Sequence, residues 1–179
     1  MIIIEGMDNS GKTKLAESLS YKFNLEVMKR SGPPKNREAF ILDTLELLTL
    51  DPEVIYDRHP IISEGVYGPV LRDTNVFESE GTHWEFYMDR LIKNNPLLIY
   101  CRPPDTKILS FGSREQMEGV REKARRLIDR YDILMNTISK RGLLIHKYDF
   151  TSLCATIMAE YVVASYLTIK RRIEGYEYK

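Results

Sequence analysis

Short apolar runs rich in β-branched residues alternate with segments of helix length from one end of the chain to the other, starting at Ile2-Ile3-Ile4. Runs at 2–5, 25–29, 54–57, 97–101 and 143–147 are brief and mostly apolar, without the strict alternation of a half-solvated strand, and predict five strands buried on both faces. The intervening segments 12–22, 37–48, 60–71, 83–93, 117–139 and 152–169 read as helices. In the fifth of these, Val120, Ala124, Leu127, Ile128, Tyr131, Leu134, Met135 and Ile138 form one apolar face, with Arg121, Glu122, Arg125, Arg126, Asp129 and Arg130 largely outside it. Two helix starts are readable: Thr82 and Glu85 have capping-box spacing, and Pro60 suits a first helical position, where its missing N–H costs no bond. Strand and helix in alternation predict an α/β fold with a parallel five-stranded sheet and helices on both faces, and ligands bound at the loops after the strands.

Length and charge narrow the class. A chain of 179 residues fits one domain, spanning 1–179. Its 26 basic and 26 acidic residues cancel, so the charge balance points to neither a nucleic-acid polymer nor a membrane surface as partner. Cys101 and Cys154 lie far apart in apolar stretches, as thiols in a reducing, cytoplasmic setting would. The start at Met1 carries no basic leader, so no signal peptide is expected, and the apolar stretch 154–167 contains Glu160 and is too short to span a bilayer. The segment 170–179 reads as a polar tail.

The sharpest chemical signal is Gly6-Met7-Asp8-Asn9-Ser10-Gly11-Lys12-Thr13, which fits G-x-x-x-x-G-K-[ST] between the first strand and first helix. The pattern adds P-loop NTPase to the predicted three-layer fold. Gly6, Asn9, Ser10 and Gly11 supply loop backbone to surround polyphosphate, Lys12 a point charge at the transferred group, and Thr13 a hydroxyl for Mg²⁺. Asp57-Arg58-His59 ends the third strand at the same sheet edge. A carboxylate there can hold a Mg²⁺-bound water, and an arginine can clamp phosphate oxygens through its planar fork.

Together these segments resemble the thymidylate kinase family: residues 5–13 look like its phosphate loop, Asp57-Arg58-His59 is similar to its D-R-[YH] motif, and Arg102-Pro103-Pro104 to the turn after its fourth strand. Ser63 and Tyr67 match the Ser and Tyr of the family's next helix if one residue is inserted after Arg58. The resemblance implies that Asp8 receives the substrate 3′-hydroxyl, that Arg58 holds the acceptor phosphate, and that Tyr67 lies against the sugar and disfavours a 2′-hydroxyl. It also marks departures. Asn9 stands where one subgroup carries a catalytic arginine, which shifts that role to a lid at about 110–121, with Arg114 and then Arg121 as candidates. Glu64 stands beside Ser63, where the family often has a base-reading polar residue.

The loop after the second strand, Lys29-Arg30-Ser31-Gly32-Pro33-Pro34-Lys35, decides between acceptors. A hydroxyl acceptor needs a general base and a phosphate acceptor needs cations; this loop has no glutamate, and Arg30, with Lys29 and Lys35 behind it, favours a monophosphate. The expectation is a Mg²⁺-dependent transfer from ATP to the 5′-phosphate of a deoxynucleoside monophosphate, dTMP or a related one, by a chain that can pair as a homodimer. A deoxynucleoside or modified-nucleotide kinase is the alternative, and a P-loop regulatory module the non-enzymatic one. The D-x-x-G and N/T-K-x-D elements of a GTPase switch do not follow Asp57 or Asp149.

Overall fold

Five parallel strands, β1 (Ile2–Glu5), β2 (Val27–Lys29), β3 (Ile55–Asp57), β4 (Leu97–Cys101) and β5 (Ile145–Tyr148), form one sheet in the order β2-β3-β1-β4-β5. The structure is a computed structural model and describes residues 1–29, 36–50, 53–78, 83–110 and 117–173. Strand β1 sits at the centre because the chain first goes to the edge strand β2 and returns to place β3 between β2 and β1, then crosses to the other side for β4 and β5. That reversal opens a crevice beyond the carboxyl end of β1, where open parallel sheets bind ligands. The pairings Ile4 with Asp57 and Glu5 with Tyr100 bring the ends of β1, β3 and β4 level at this crevice.

Side-chain alternation along β1 divides the core. Ile2 and Ile4 face Leu15, Ala16 and Leu19 of α1 (Lys12–Phe23) and Met158, Ala159 and Val162 of α7 (Ala155–Ile173). Ile3 faces the opposite layer, built from α2 (Arg37–Leu50), α3 (Pro60–Tyr67), α4 (Trp84–Lys93) and α6 (Ala124–Lys140). Each fully buried isoleucine of this strand contributes about 1.5–3 kcal/mol by leaving water. The three-layer α/β architecture is the expected one.

The element ends differ from expectation for local reasons. The strands predicted at 25–29, 54–57 and 143–147 pair only over the shorter or shifted spans above. Helix α6 starts at Ala124 rather than at 117, because Gly119 has φ +77 and a helix cannot pass through that conformation; residues 118–123 are turns. The helix predicted over 60–71 is α-helical only to Tyr67 and continues as a π-helical turn, Gly68–Arg72. Pro69 lacks the N–H that would bond the Gly65 carbonyl, and Arg130 Nε donates to that carbonyl instead at 3.0 Å. Pro60 does open α3, with His59 Nδ1 accepting from the Ile61 N–H. Helix α4 opens at Trp84, whose N–H donates to Glu78 Oε1 at 3.2 Å; Thr82, predicted to cap it, lies outside the described residues. Helix α7 begins at Ala155 instead of 152, after Asp149 Oδ1 captures the Thr151 N–H and hydroxyl in a turn, and it carries the chain to Ile173, so the predicted tail falls outside the described residues only from 174 on. A short helix, α5 (Asp105–Ile108), follows Pro103-Pro104 and was not expected. Among the described residues no helix is long and apolar enough to cross a membrane.

Candidate active site

The chain leaves β1 through a loop that only glycine can begin. Gly6 has φ +141, and a Cβ there would lie 2.5 Å from the Cys101 carbonyl oxygen and 2.9 Å from Ser10 Oγ. Gly11 closes the loop at φ +87, with the Phe150 ring so close that a Cβ would meet Cδ1 at 2.9 Å. Helix α1 then starts at Lys12, so the loop N–H groups and the helix N-terminus converge on one hollow. Ser10 Oγ is buried and has no hydrogen-bond partner among the described residues. Lys12 is 7 % exposed, and its Nζ donates to the Met7 carbonyl at 2.6 Å. Burial pulls its pKa down to about 8, helped by the Arg58 charge and opposed by Asp57 and Asp8. Thr13 is exposed on the first turn of α1. The Asn9 side chain reaches away from this hollow, donating to the carbonyls of Ile108 and Ser110, each at 3.3 Å, and so joins the loop to the end of α5.

Strand β3 delivers the second group. Asp57 stands beside Ile4 in the sheet, and the chain turns sharply at Arg58, whose φ of 73 is left-handed. The Arg58 N–H is held by the Ile4 carbonyl at 3.0 Å. Its guanidinium donates through Nη2 to Asp8 Oδ1 at 2.5 Å and lies 5.4 Å from the centroid of the Tyr67 ring. Arg58 Nε is buried with no hydrogen-bond partner among the described residues. Tyr67 is 5 % exposed, meets Tyr131 edge to face at 6.0 Å, and its pKa is pushed up to about 12 by burial, so it stays a neutral phenol.

Beneath this pair lies a carboxylate to which sequence reasoning gave no role. Glu5, fully buried, accepts from the His59 N–H at 2.6 Å, from Tyr131 Oη at 3.1 Å and from Ser63 Oγ at 3.4 Å. Burial lifts its pKa to about 7 against the lowering effects of the His59 N–H, Arg58, Tyr131 and Lys12. The signal available was a glutamate ending an otherwise apolar strand, a placement that demands partners.

The structure thus gathers Asp8, Lys12, Asp57, Arg58 and Tyr67 at one end of the sheet, with Ser63 bound to Glu5 below them. Glu64 points elsewhere: Arg72 Nη2 grips its carboxylate at 2.5 and 2.6 Å, and the Val76 N–H donates to it at 3.0 Å, so it fastens the π-helical turn to the segment beyond. Arg121 is exposed in the turns before α6, and Lys29 is exposed at the end of β2. Arg30, Lys35 and Arg114, like half of the expected lid, lie outside the described residues. A network not foreseen flanks the site: Arg102 Nε and Nη2 bond Asp132 on α6 while Nη1 bonds Asp105 on α5 at 2.7 Å, and Tyr100 Oη donates to Asp132 at 2.8 Å.

No protein-family model matches the chain, and no curated protein sequence matches it. Solved structures do. The YorR protein of Bacillus subtilis, in complex with phosphorylated GDP, superposes with a TM-score of 0.71 at 20% identity, over 99% of this chain and 99% of that one. Deoxyadenosine kinase from M. mycoides with bound dCTP gives 0.55 at 18% identity, over 94% of this chain and 100% of that one. The same kinase with bound dATP gives 0.52 at 18% identity, over 92% and 97%. At such identities the likeness defines the fold, and the fold is a P-loop kinase fold.

Proposed function

We propose that the chain is a nucleotide kinase that transfers the γ-phosphoryl group of ATP to the 5′-phosphate of a deoxynucleoside monophosphate, in the manner of the thymidylate kinases it resembles. The observation that carries this reading is Arg58: a part-buried guanidinium fixed by Asp8 on one side and Tyr67 below, at the mouth of the phosphate loop, with its buried Nε donor unmatched among the described residues. A planar fork presented in this way suits an incoming phosphate oxygen.

In this reading the loop 6–13 and Lys12 hold the triphosphate, and Asp8 takes the sugar hydroxyl in exchange for part of its bond to Arg58. Catalysis then consists of alignment and charge stabilisation, with no protein nucleophile. The Thr13 hydroxyl and the Asp57 carboxylate would hold Mg²⁺. Both are hard oxygen donors beside Lys12, and the absence of any cluster of three or more His, Cys, Asp or Glu among the described residues fits an ion held chiefly by substrate phosphates. When bound, the ion neutralises phosphate oxygens as charge shifts during transfer. Arg30 and a lid arginine, Arg114 or Arg121, complete the cationic set.

The test is coupled ADP release with dTMP, dUMP, dGMP, dAMP and dCMP, the matching ribonucleotides, and the free nucleosides. Turnover that requires a deoxynucleoside monophosphate supports the proposal. Turnover with nucleosides alone makes the protein a deoxynucleoside kinase, and nucleotide binding without acceptor-dependent turnover makes it a regulatory module.

A further inference from the structure

Glu5 has no part in the chemistry just described, yet its surroundings are built around it. The strand alternation that turns Ile3 into the α3/α4/α6 layer turns Glu5 the same way, into a position with no exposed surface. An aliphatic side chain would fill such a place at no electrostatic cost, whereas a carboxylate must be compensated by donors. The donors come from three separate places: the His59 backbone at the start of α3, Ser63 one turn along α3, and Tyr131 on α6.

The first of these fixes the turn. Arg58 is a non-glycine residue at φ 73, a strained conformation that persists only where neighbours enforce it. Two bonds to β1 do so: Arg58 N–H to the Ile4 carbonyl at 3.0 Å, and His59 N–H to Glu5 Oε1 at 2.6 Å. The N–H groups on both sides of the Arg58 Cα are therefore pinned to successive residues of one strand. With the peptide so held, the guanidinium leaves toward Asp8 and over Tyr67. The third donor fixes the wall: Tyr131, anchored on Glu5 Oε2, sets its ring edge to face against Tyr67, the ring on which Arg58 rests.

We propose that Glu5 is a positioning residue for Arg58, locking the left-handed turn after β3 and the tyrosine beneath it so that the guanidinium is aimed before the acceptor monophosphate arrives. The inference rests on the reading of Arg58 as the acceptor clamp. It makes binding of the monophosphate, and not of the donor nucleotide, depend on a residue that touches neither.

The experiment is a double-mutant cycle read by calorimetry. Glu5→Met keeps the length and removes both acceptor oxygens; Glu5→Gln keeps one carbonyl oxygen for the His59 N–H; each is made alone and combined with Arg58→Ala. The probes are the five deoxynucleoside monophosphates above and, on the same samples, ADP, whose unchanged affinity certifies an intact fold and phosphate loop. Glu5→Met should weaken the monophosphate about tenfold, with ADP within about twofold of wild type, Glu5→Gln should recover most of the loss, and Glu5→Met should cost nothing further once Arg58 is alanine. If Arg58→Ala leaves monophosphate binding unchanged, the clamp reading fails and the inference falls with it. If Arg58→Ala weakens binding while Glu5→Met, with normal ADP affinity, does not, or if Glu5→Met weakens it equally in both backgrounds, the clamp stands and the positioning role is overturned. Loss of ADP affinity in Glu5→Met and Glu5→Gln alike would make Glu5 a general structural residue and overturn it as well.

Discussion

Asp8 Oδ1 accepts a hydrogen bond from Arg58 Nη2 at 2.5 Å, an ion pair that joins the phosphate loop to the turn after β3. Asp8 and Arg58 belong to two loops fifty residues apart, and in the proposed function their meeting joins the donor half of the site to the acceptor half.

Arg58→Ala should separate those halves. If the guanidinium faces the acceptor as proposed, and meets the loop through Asp8, ADP or ATP affinity should change little while the acceptor KM rises by about tenfold or more, the scale of losing a charge-assisted phosphate contact. Calorimetry of each ligand separately checks this. Equal weakening of both would place Arg58 in the framework of the phosphate loop rather than on the acceptor.

Lys12→Ala should abolish transfer and spare the fold. Burial desolvates the Nζ charge and pulls its pKa down to about 8, so its removal relieves a burial penalty and the melting temperature should hardly fall. Turnover should fall by on the order of 10²-fold or more, the scale for one preorganised charge-stabilising donor. A folded variant with near-native kcat would contradict the assignment of residues 6–13 as the donor site.

Glu5 gives the stability a pH dependence whose sign follows from its environment. Its carboxyl is raised by burial from an ordinary 4.5 to about 7, so the folded chain keeps a proton that the unfolded chain releases above 4.5. The folded state therefore binds more protons, and the associated stability is full below 4.5 and is lost as pH rises through 7, by roughly 3 kcal/mol as an order of magnitude. Urea midpoints from pH 4.5 to 8 should fall for the wild type and fall less for Glu5→Gln, which has no proton to lose. Parallel curves would show that Glu5 does not titrate in this window.

The phosphate loop was legible because its chemistry is local: two glycines, a lysine and a threonine at fixed spacing between a strand and a helix name the loop without any tertiary contact. Asp57 and Arg58 were legible by position, at the end of a strand that had to finish beside β1. The Glu5 to Tyr131 bond was not, since 126 residues separate its partners and Tyr131 fits the apolar face of α6 on spacing alone. The partners of Glu64 were not legible either. It adjoins Ser63 in sequence, but one step along a helix rotates a side chain by about 100°, and that step turns Glu64 away from Glu5 and onto Arg72. The π-helical turn and the late start of α6 follow from Pro69 and Gly119, single residues whose effect hydrophobic spacing does not register.

Tyr67 provides the test of sugar selection. Its ring is nearly buried, lies under the Arg58 guanidinium and is held from the side by Tyr131, while its hydroxyl meets Met7 Sδ at 3.8 Å and Tyr131. A ring so fixed can crowd a 2′-hydroxyl by shape, and the phenol oxygen is not needed for that. Tyr67→Phe should therefore keep both stability and the kcat/KM ratio between a deoxyribonucleotide and its ribonucleotide. Tyr67→Ala should lose on the order of 3 kcal/mol of stability through the cavity it leaves, so a melting curve must accompany the kinetics. Where it remains folded, the ratio should narrow, within the roughly 10²-fold that excluding one hydroxyl from an apolar wall can supply. Loss of the ring under Arg58 would raise KM for both sugars together, so the ratio, and not either value alone, reads the contact with the sugar. A folded Tyr67→Ala that discriminates as strongly as wild type would remove Tyr67 from the sugar site and leave it as the shelf on which Arg58 rests.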